Sequence, residues 1–118
     1  MGKNISLNID HPNSRRMEFF LNSVDAELVE IPFDWKTLLL SDRISGGRKF
    51  KSTDDNTPII ITVLLCDSYH DANEIAKLND FPSKPTARWS LNGGLLYVVE
   101  SEDEETVGEI LSLFAGKE

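Results

Sequence analysis

The segment from Pro58 to Cys66 is the feature that most restricts the fold, because it is nearly continuous apolar sequence rich in isoleucine. Its length suits one strand and is far too short to span a bilayer. A strand that is apolar at successive positions is covered on both faces of its sheet. We therefore expect Pro58–Cys66 to be a central strand.

Alternating apolar and helical spacings place the other elements around this strand. Ile5, Leu7 and Ile9 alternate with polar residues, which predicts a first strand, and Leu28 to Phe33 predicts a second. Helices are predicted where apolar residues recur at helical spacing: Met17, Phe20, Leu21 and Val24; and Ala72, Ile75 and Ala76 after a cap at Ser68. Residues 34–41 are ambiguous: Trp35, Leu38 and Leu39 favour a short helix capped by Asp34, but the triple leucine would also suit a strand. Gly46-Gly47 predicts a turn leading into a weak edge strand, Arg48 to Ser52, and residues 53–57 read as a loop.

The last third of the chain has the clearest local signals. Asn92-Gly93 lies between two apolar runs, which predicts a hairpin whose type I′ turn has positive φ at both residues. Ser101 and Glu104 have the spacing of a capping box for a final amphipathic helix, and Gly116 is placed to end it.

This order of elements predicts an α+β fold. The simplest packing is a two-layer sandwich, with a mixed or antiparallel sheet that carries its helices mainly on one face. A ferredoxin-like core fits the order, with the first strand and Ile59 to Leu65 as its central pair. We expect residues 1–118 to form a single domain.

The run from Lys84 to Gly93, followed by a strand and an amphipathic helix, resembles the ending of thioredoxin-like proteins. The resemblance covers about the last third of the chain and implies an alternative thioredoxin-like α/β fold. It does not extend to redox activity, because the chain has no Cys-x-x-Cys pair and Tyr69 stands where a second cysteine would be.

Cysteine content and the amino terminus indicate the compartment. The only cysteine, Cys66, cannot form an internal disulfide, which favours a reducing environment. The first residues lack the apolar run of a signal peptide. We expect a cytoplasmic protein with no membrane association, and no residue pattern calls for a cofactor or a metal.

The formal charge of −8 is unevenly distributed along the chain. Residues 1–59 hold 9 acidic and 8 basic side chains, whereas residues 60–118 hold 11 acidic and 4 basic ones. Five acidic residues surround the start of the final helix, more than capping requires: Glu100, Glu102, Asp103, Glu104 and Glu105. Such a field repels nucleic acid, and the basic residues around Gly46-Gly47 are too few to reverse this. The sequence therefore favours a non-enzymatic binding or regulatory domain that recognises a basic protein partner through this acidic surface.

A small anion-binding domain is the alternative. Two arginines stand in the first turn of the first predicted helix, where positive charge opposes the helix dipole unless an anion binds there. The predicted site comprises His11, Asn13, Ser14, Arg15 and Arg16.

Thiol and metal chemistry are weaker hypotheses. Cys66 precedes a helix and has His70 four residues later, so a thiol or redox enzyme is the third possibility, although strand alternation predicts that Cys66 is buried. A mixed oxygen and nitrogen metal site would require convergence of residues whose spacing matches no ligand motif: Asp10, His11, Asp67, His70 and Asp71.

Overall fold

Six antiparallel strands and three helices make up the computed structural model, which describes residues 5–54 and 56–115. The strands are β1 Leu28–Ile31, β2 Ile44–Ser52, β3 Ile59–Cys66, β4 Ser83–Lys84, β5 Ala87–Asn92 and β6 Leu95–Ser101. The helices are α1 Ser14–Ser23, α2 Tyr69–Leu78 and α3 Glu104–Phe114, with short 3₁₀ helices at Trp35–Thr37 and Ser41–Arg43. The predicted α+β class, with an antiparallel sheet, is confirmed.

The strand order is β1-β2-β3-β6-β5-β4, so two three-stranded meanders meet along one seam. That seam pairs β3 with β6 over seven residue pairs, from Ile59 opposite Ser101 to Leu65 opposite Leu95. The predicted central position of β3 is confirmed, and both of its faces are covered.

Helices cover both faces of the sheet rather than mainly one. On one face, α1 and α3 bury the larger core, in which Tyr97 packs edge-on against Phe114 at a centroid distance of 5.0 Å. On the other face, α2 buries Leu64, Cys66 and Leu96. The expected two-layer packing is therefore corrected to three layers.

The segment from Ile5 to Ile9 forms no strand, contrary to prediction. The alternation does bury Leu7 in the larger core. The backbone N–H groups of Ile5 and Leu7, however, donate to side chains rather than to a neighbouring strand. The N–H of Ile5 donates to Asn22 Oδ1 and that of Leu7 to Glu18 Oε2, each at 2.8 Å. The predicted pairing of a first strand with Ile59 to Leu65 is therefore wrong, and the likeness to a ferredoxin-like or thioredoxin-like fold stays a prediction.

The predicted turn at Gly46-Gly47 is instead the interior of β2, and β2 lies between β1 and β3 rather than at an edge. A Cβ on Gly46 would lie 2.7 Å from Ile9 Cδ1, and one on Gly47 would lie 2.6 Å from Leu64 Cδ2. The glycines therefore permit close packing on the two faces of a strand, which sequence alone does not distinguish from a turn.

The predicted helices α1 and α2 are confirmed, as are the Ser68 and Asp34 caps. After Asp34, however, the helix is only one short 3₁₀ turn. The hairpin is confirmed, but its two-residue loop is Gly93-Gly94, and of Asn92 and Gly93 only Gly93 has positive φ, at 62°. The turn therefore has the φ pattern of type II′ rather than the predicted type I′.

The cap of α3 is Asp103 rather than Ser101. Asp103 Oδ1 accepts from the N–H of Glu105 at 3.1 Å, while Ser101 Oγ accepts from the N–H of Asp103. The predicted stop at Gly116 lies outside the described residues.

Candidate functional site

A cleft of about 460 Å³ lies between the end of α1, the loop joining β2 to β3, and α3. Four carboxylates line it: Asp25, Asp54, Asp103 and Glu109. No basic side chain lines it within residues 5–54 and 56–115. We call this feature the acidic cleft.

The rest of the lining combines apolar and hydroxyl side chains. The apolar residues are Val24, Ala26, Ile59, Ile110 and Leu113, and the hydroxyl residues are Ser23, Ser52, Thr57 and Thr106. Val24 and Ile110 belong to the larger core, so this surface is firmly supported from beneath. Carboxylates above an apolar floor form a site suited to a side chain that has both an apolar stem and a cationic head.

Local backbone geometry positions two of the carboxylates. After α1, the N–H of Ala26 donates to the carbonyl oxygen of Val24 at 2.9 Å, which forms the tight turn that carries Asp25. In the loop between β2 and β3, Asp54 Oδ1 accepts from the N–H of Asn56 at 2.9 Å. Asp25 thus lies on a hydrogen-bonded turn. One oxygen of the Asp54 carboxylate is used by a backbone hydrogen bond within its own loop.

The two α3 carboxylates differ in their availability. Both oxygens of Asp103 are occupied within its own helix, by the N–H of Glu105 and by Thr106 Oγ1 at 2.9 Å. Glu109 is exposed and accepts no hydrogen bond from the described part of the chain. Asp25 and Glu109 are therefore the carboxylates most available to a ligand.

The five acidic residues predicted from the sequence do not form one surface. Only Asp103 lines the acidic cleft, while Glu102, Glu104 and Glu105 are exposed around the start of α3. Glu100 follows Val99, which belongs to the larger core, so strand alternation directs Glu100 to the opposite face of the sheet.

Sequence analysis missed Asp25, Asp54 and Glu109. They come from three separate segments, and nothing in their spacing links them. The only local signal was the turn chemistry of aspartate after a helix and in a loop.

The predicted anion site at the start of α1 comes together only in part. His11, Ser14 and Arg15 line a cavity of about 320 Å³, but Asp10 and Glu18 line it too. Asn13 is the N-cap residue of α1 and makes no side-chain capping bond.

The guanidinium group of Arg16 already makes hydrogen bonds within the protein. Its Nη2 donates to Asn92 Oδ1 at 2.7 Å and its Nη1 to Asn13 Oδ1 at 3.3 Å. Among the described residues, Arg15 is the predicted site's arginine without a hydrogen bond or ion pair, and it lies beside the carboxylates of Asp10 and Glu18.

Cys66 is fully buried, as predicted. Burial raises the pKa of its thiol to about 12, and the charges of Asp71 and Asp67 act in the same direction. His70 is exposed and lies 3.6 Å from Glu74. The raised pKa favours the protonated thiol at neutral pH, whereas the nucleophile of a thiol enzyme is the thiolate.

The hypothetical metal ligands are also dispersed. His11 Nδ1 accepts from the N–H of Asn13, so its Nε2 carries the proton and donates to Asp67 Oδ1 at 3.3 Å. In the part of the chain that the structure describes, no group of three His, Cys, Asp or Glu side chains could hold a metal ion.

Two of the basic residues near Gly46-Gly47 form contacts within the protein. Arg43 pairs with Glu74 at 2.8 Å, and Arg48 donates to the carbonyl oxygen of Leu7 at 2.9 Å. Arg43 thereby connects α2 to the 3₁₀ helix that precedes β2, and Arg48 connects the 5–9 segment to β2.

None of the helices in the described ranges is both long and apolar enough to cross a bilayer. Searches for similar proteins found no matching family model, no matching curated protein and no matching solved structure.

Proposed function

We propose that this chain is a non-enzymatic binding domain of the cytoplasm that recognises a basic protein partner through the acidic cleft. The observation that carries the proposal is the convergence of four carboxylates from three separate segments on a cleft with an apolar floor.

A lysine or arginine side chain fits this chemistry. Its aliphatic stem packs on Val24, Ile110 and Leu113, while its cationic head meets Asp25 and Glu109. Arginine is the better fit, because its guanidinium group is less strongly hydrated than an ammonium group and can bond two carboxylates at once.

The charge outside the cleft favours a macromolecular partner. Glu102 and Glu105 are exposed beside the cleft residue Asp103, so the negative field extends past the space that one side chain would fill. The net charge of −8 adds long-range attraction for a basic surface.

The alternative of an anion-binding domain at Arg15 and Arg16 has weaker support. Arg16 is held by Asn92, and Asp10 and Glu18 would repel an anion in the adjacent cavity. For a thiol enzyme, burial and the raised pKa of Cys66 argue against activity at neutral pH. A ferredoxin-like or thioredoxin-like fold is compatible with a binding role and is not needed for it.

The test is a titration with a fluorescently labelled peptide that carries two arginines, compared with the same peptide carrying citrulline at both positions. Citrulline keeps the shape of arginine and removes its charge. The cleft variant Asp25→Asn/Glu109→Gln removes two charges from the acidic cleft. The control variant Asp10→Asn/Asp42→Asn removes two exposed charges that do not line it.

We expect the cleft variant to bind the arginine peptide at least roughly tenfold more weakly than wild type, since a tenfold change corresponds to about 1.4 kcal/mol. The control variant should bind within about twofold of wild type, a difference of under about 0.5 kcal/mol. Equal weakening in both variants would show that only net charge matters and would refute a role for the cleft.

A further inference from the structure

A second cavity, of about 410 Å³, lies on another side of the start of α3. It is lined by Ser83, Lys84, Pro85, Arg88 and Glu104. Lys84 and Arg88 are two of only four basic residues in the acidic half of the chain, residues 60–118. The pairing of β4 with β5, in which Lys84 lies opposite Ala87, brings them together.

Arg88 has a buried hydrogen-bond donor without a partner. Its Nε–H donates to no acceptor among the residues that the structure describes. By contrast, Arg16, Arg43 and Arg48 each donate to a protein oxygen. Buried donors in folded proteins almost always have partners, so an unsatisfied arginine beside a cavity points to a missing acceptor.

The carboxylate that could supply this acceptor does not do so. Glu104 lines the same cavity, yet forms no ion pair with Lys84 or Arg88 in the described structure. The two cations and one carboxylate leave the cavity with a net charge of about +1 by formal count. One monovalent anion would balance it.

The fold holds Arg88 in place for such a ligand. Arg88 is opposite Val99 of the larger core, so it lies on the sheet face that carries α3. A Cβ on Gly108 of α3 would lie 3.6 Å from Arg88 Nη2, so the guanidinium lies against a helix position that has no side chain. A guanidinium group confined between strand and helix loses little entropy when it binds.

We propose that this cavity binds a carboxylate. The planar guanidinium of Arg88 matches the two oxygens of a carboxylate, and Lys84 adds a second positive charge. The group can come from a small free carboxylic acid or from the carboxyl terminus of a peptide. The site uses none of the residues of the acidic cleft and does not depend on the function proposed above.

The experiment follows the side-chain Nε–H signal of Arg88 by ¹⁵N NMR of the full chain. Three probes are added at constant ionic strength: sodium acetate, a tripeptide with a free carboxyl terminus, and the same tripeptide amidated. Sodium chloride and sodium phosphate serve as anion controls. Arg88→Gln lacks this signal and serves to assign it. The binding variants are Lys84→Gln and the matched control Lys77→Gln, which removes an exposed charge from α2 on the opposite face of the sheet.

We expect acetate and the free tripeptide to shift the Arg88 signal in a saturable way, and the amidated peptide and chloride to leave it unmoved. Lys84→Gln should weaken binding at least roughly tenfold, whereas Lys77→Gln should not change it. Tighter binding of the free tripeptide than of acetate would identify a peptide terminus as the source, and equal binding would identify a small free acid.

Two results would overturn the proposal. One is an Arg88 signal that responds to the amidated peptide as strongly as to the free one. The other is a response to phosphate that exceeds every response to a carboxylate. If Arg88→Gln fails to fold, Lys84→Gln still provides the test, because Lys84 is exposed.

Discussion

The backbone N–H of Cys66 donates to the carbonyl oxygen of Gly94 at 2.9 Å, and the two segments are so close that a Cβ on Gly94 would overlap the carbonyl oxygen of Cys66. This contact fixes the end of β3 against the hairpin turn. It also separates the roles of two neighbouring glycines. Gly93 needs its positive φ and has open space around it, whereas Gly94 needs the space itself.

We expect Gly94→Ala to reduce the free energy of unfolding by about 2–3 kcal/mol, because the backbone of Cys66 must move to make room. Gly93→Ala should cost about 1 kcal/mol, the strain of a left-handed residue. Urea unfolding of both variants measures the difference. A Gly94→Ala variant that is as stable as Gly93→Ala would contradict the close packing.

Cys66 should make stability depend on alkaline pH. The pKa of the buried thiol is raised to about 12 from an ordinary value of 9.0. The unfolded chain therefore loses this proton first as the pH rises, so the stabilising contribution is complete below about pH 9 and is lost between there and about pH 12. Comparing the alkaline unfolding of wild type with that of Cys66→Ala isolates this effect, since the variant should lack this part of the decline.

The same burial predicts slow alkylation. Native protein should react with iodoacetamide at pH 8 at least roughly a hundredfold more slowly than urea-unfolded protein, because the thiol must first be exposed by local opening. Mass spectrometry of timed samples gives both rates. Comparable rates would mean that Cys66 is accessible in solution.

The cap of α3 gives a fourth test. Asp103→Ala should destabilise the protein by about 1 kcal/mol, because two hydrogen bonds at the start of the helix are lost. Glu104→Gln, which removes the carboxylate of the capping box predicted with Ser101, should change stability by less than about 0.5 kcal/mol. Thermal unfolding followed by circular dichroism ranks the two, and the reverse order would restore the capping box predicted from the sequence.

The exposed acids and the cleft should affect different rates of binding. Glu102→Gln/Glu104→Gln/Glu105→Gln should slow association of the arginine peptide, because exposed charges mainly steer encounter. Asp25→Asn/Glu109→Gln should mainly speed dissociation, because it removes direct contacts. Stopped-flow measurements separate the two rates. Association with wild type should also slow as salt rises past physiological strength, where the screening length is about 8 Å.

Residues with strong local chemistry could be predicted from the sequence. Ser68 and Asp34 were recognised as caps, and the apolar run of β3 was recognised as a central strand. The predictions were wrong where one sequence pattern fits two local structures and tertiary contacts decide between them. Leu7 alternates with polar residues as in a strand, but its backbone N–H donates to Glu18 and that of Ile5 donates to Asn22, so no ladder forms.

The sequence predicted that the binding site would be acidic, but not which residues form it. Clustering along the sequence drew attention to the residues around Asp103, whereas the cleft depends on Asp25 and Glu109, which the fold brings together. The isolation of Arg88 could not be predicted either, because nothing in the local sequence shows whether an arginine will find an acceptor.

The seam between β3 and β6 has a consequence for how the chain finds its native state. Every other strand pairing in the described sheet joins two strands that are consecutive along the chain, so each meander can form by pairing that starts at its own connecting loops. Only the seam must close across residues 67–94, and α2 shortens that separation by winding part of it into a helix. The slow step of folding is then a single encounter between two partly ordered halves, and the entropy of closing that one loop sets its rate.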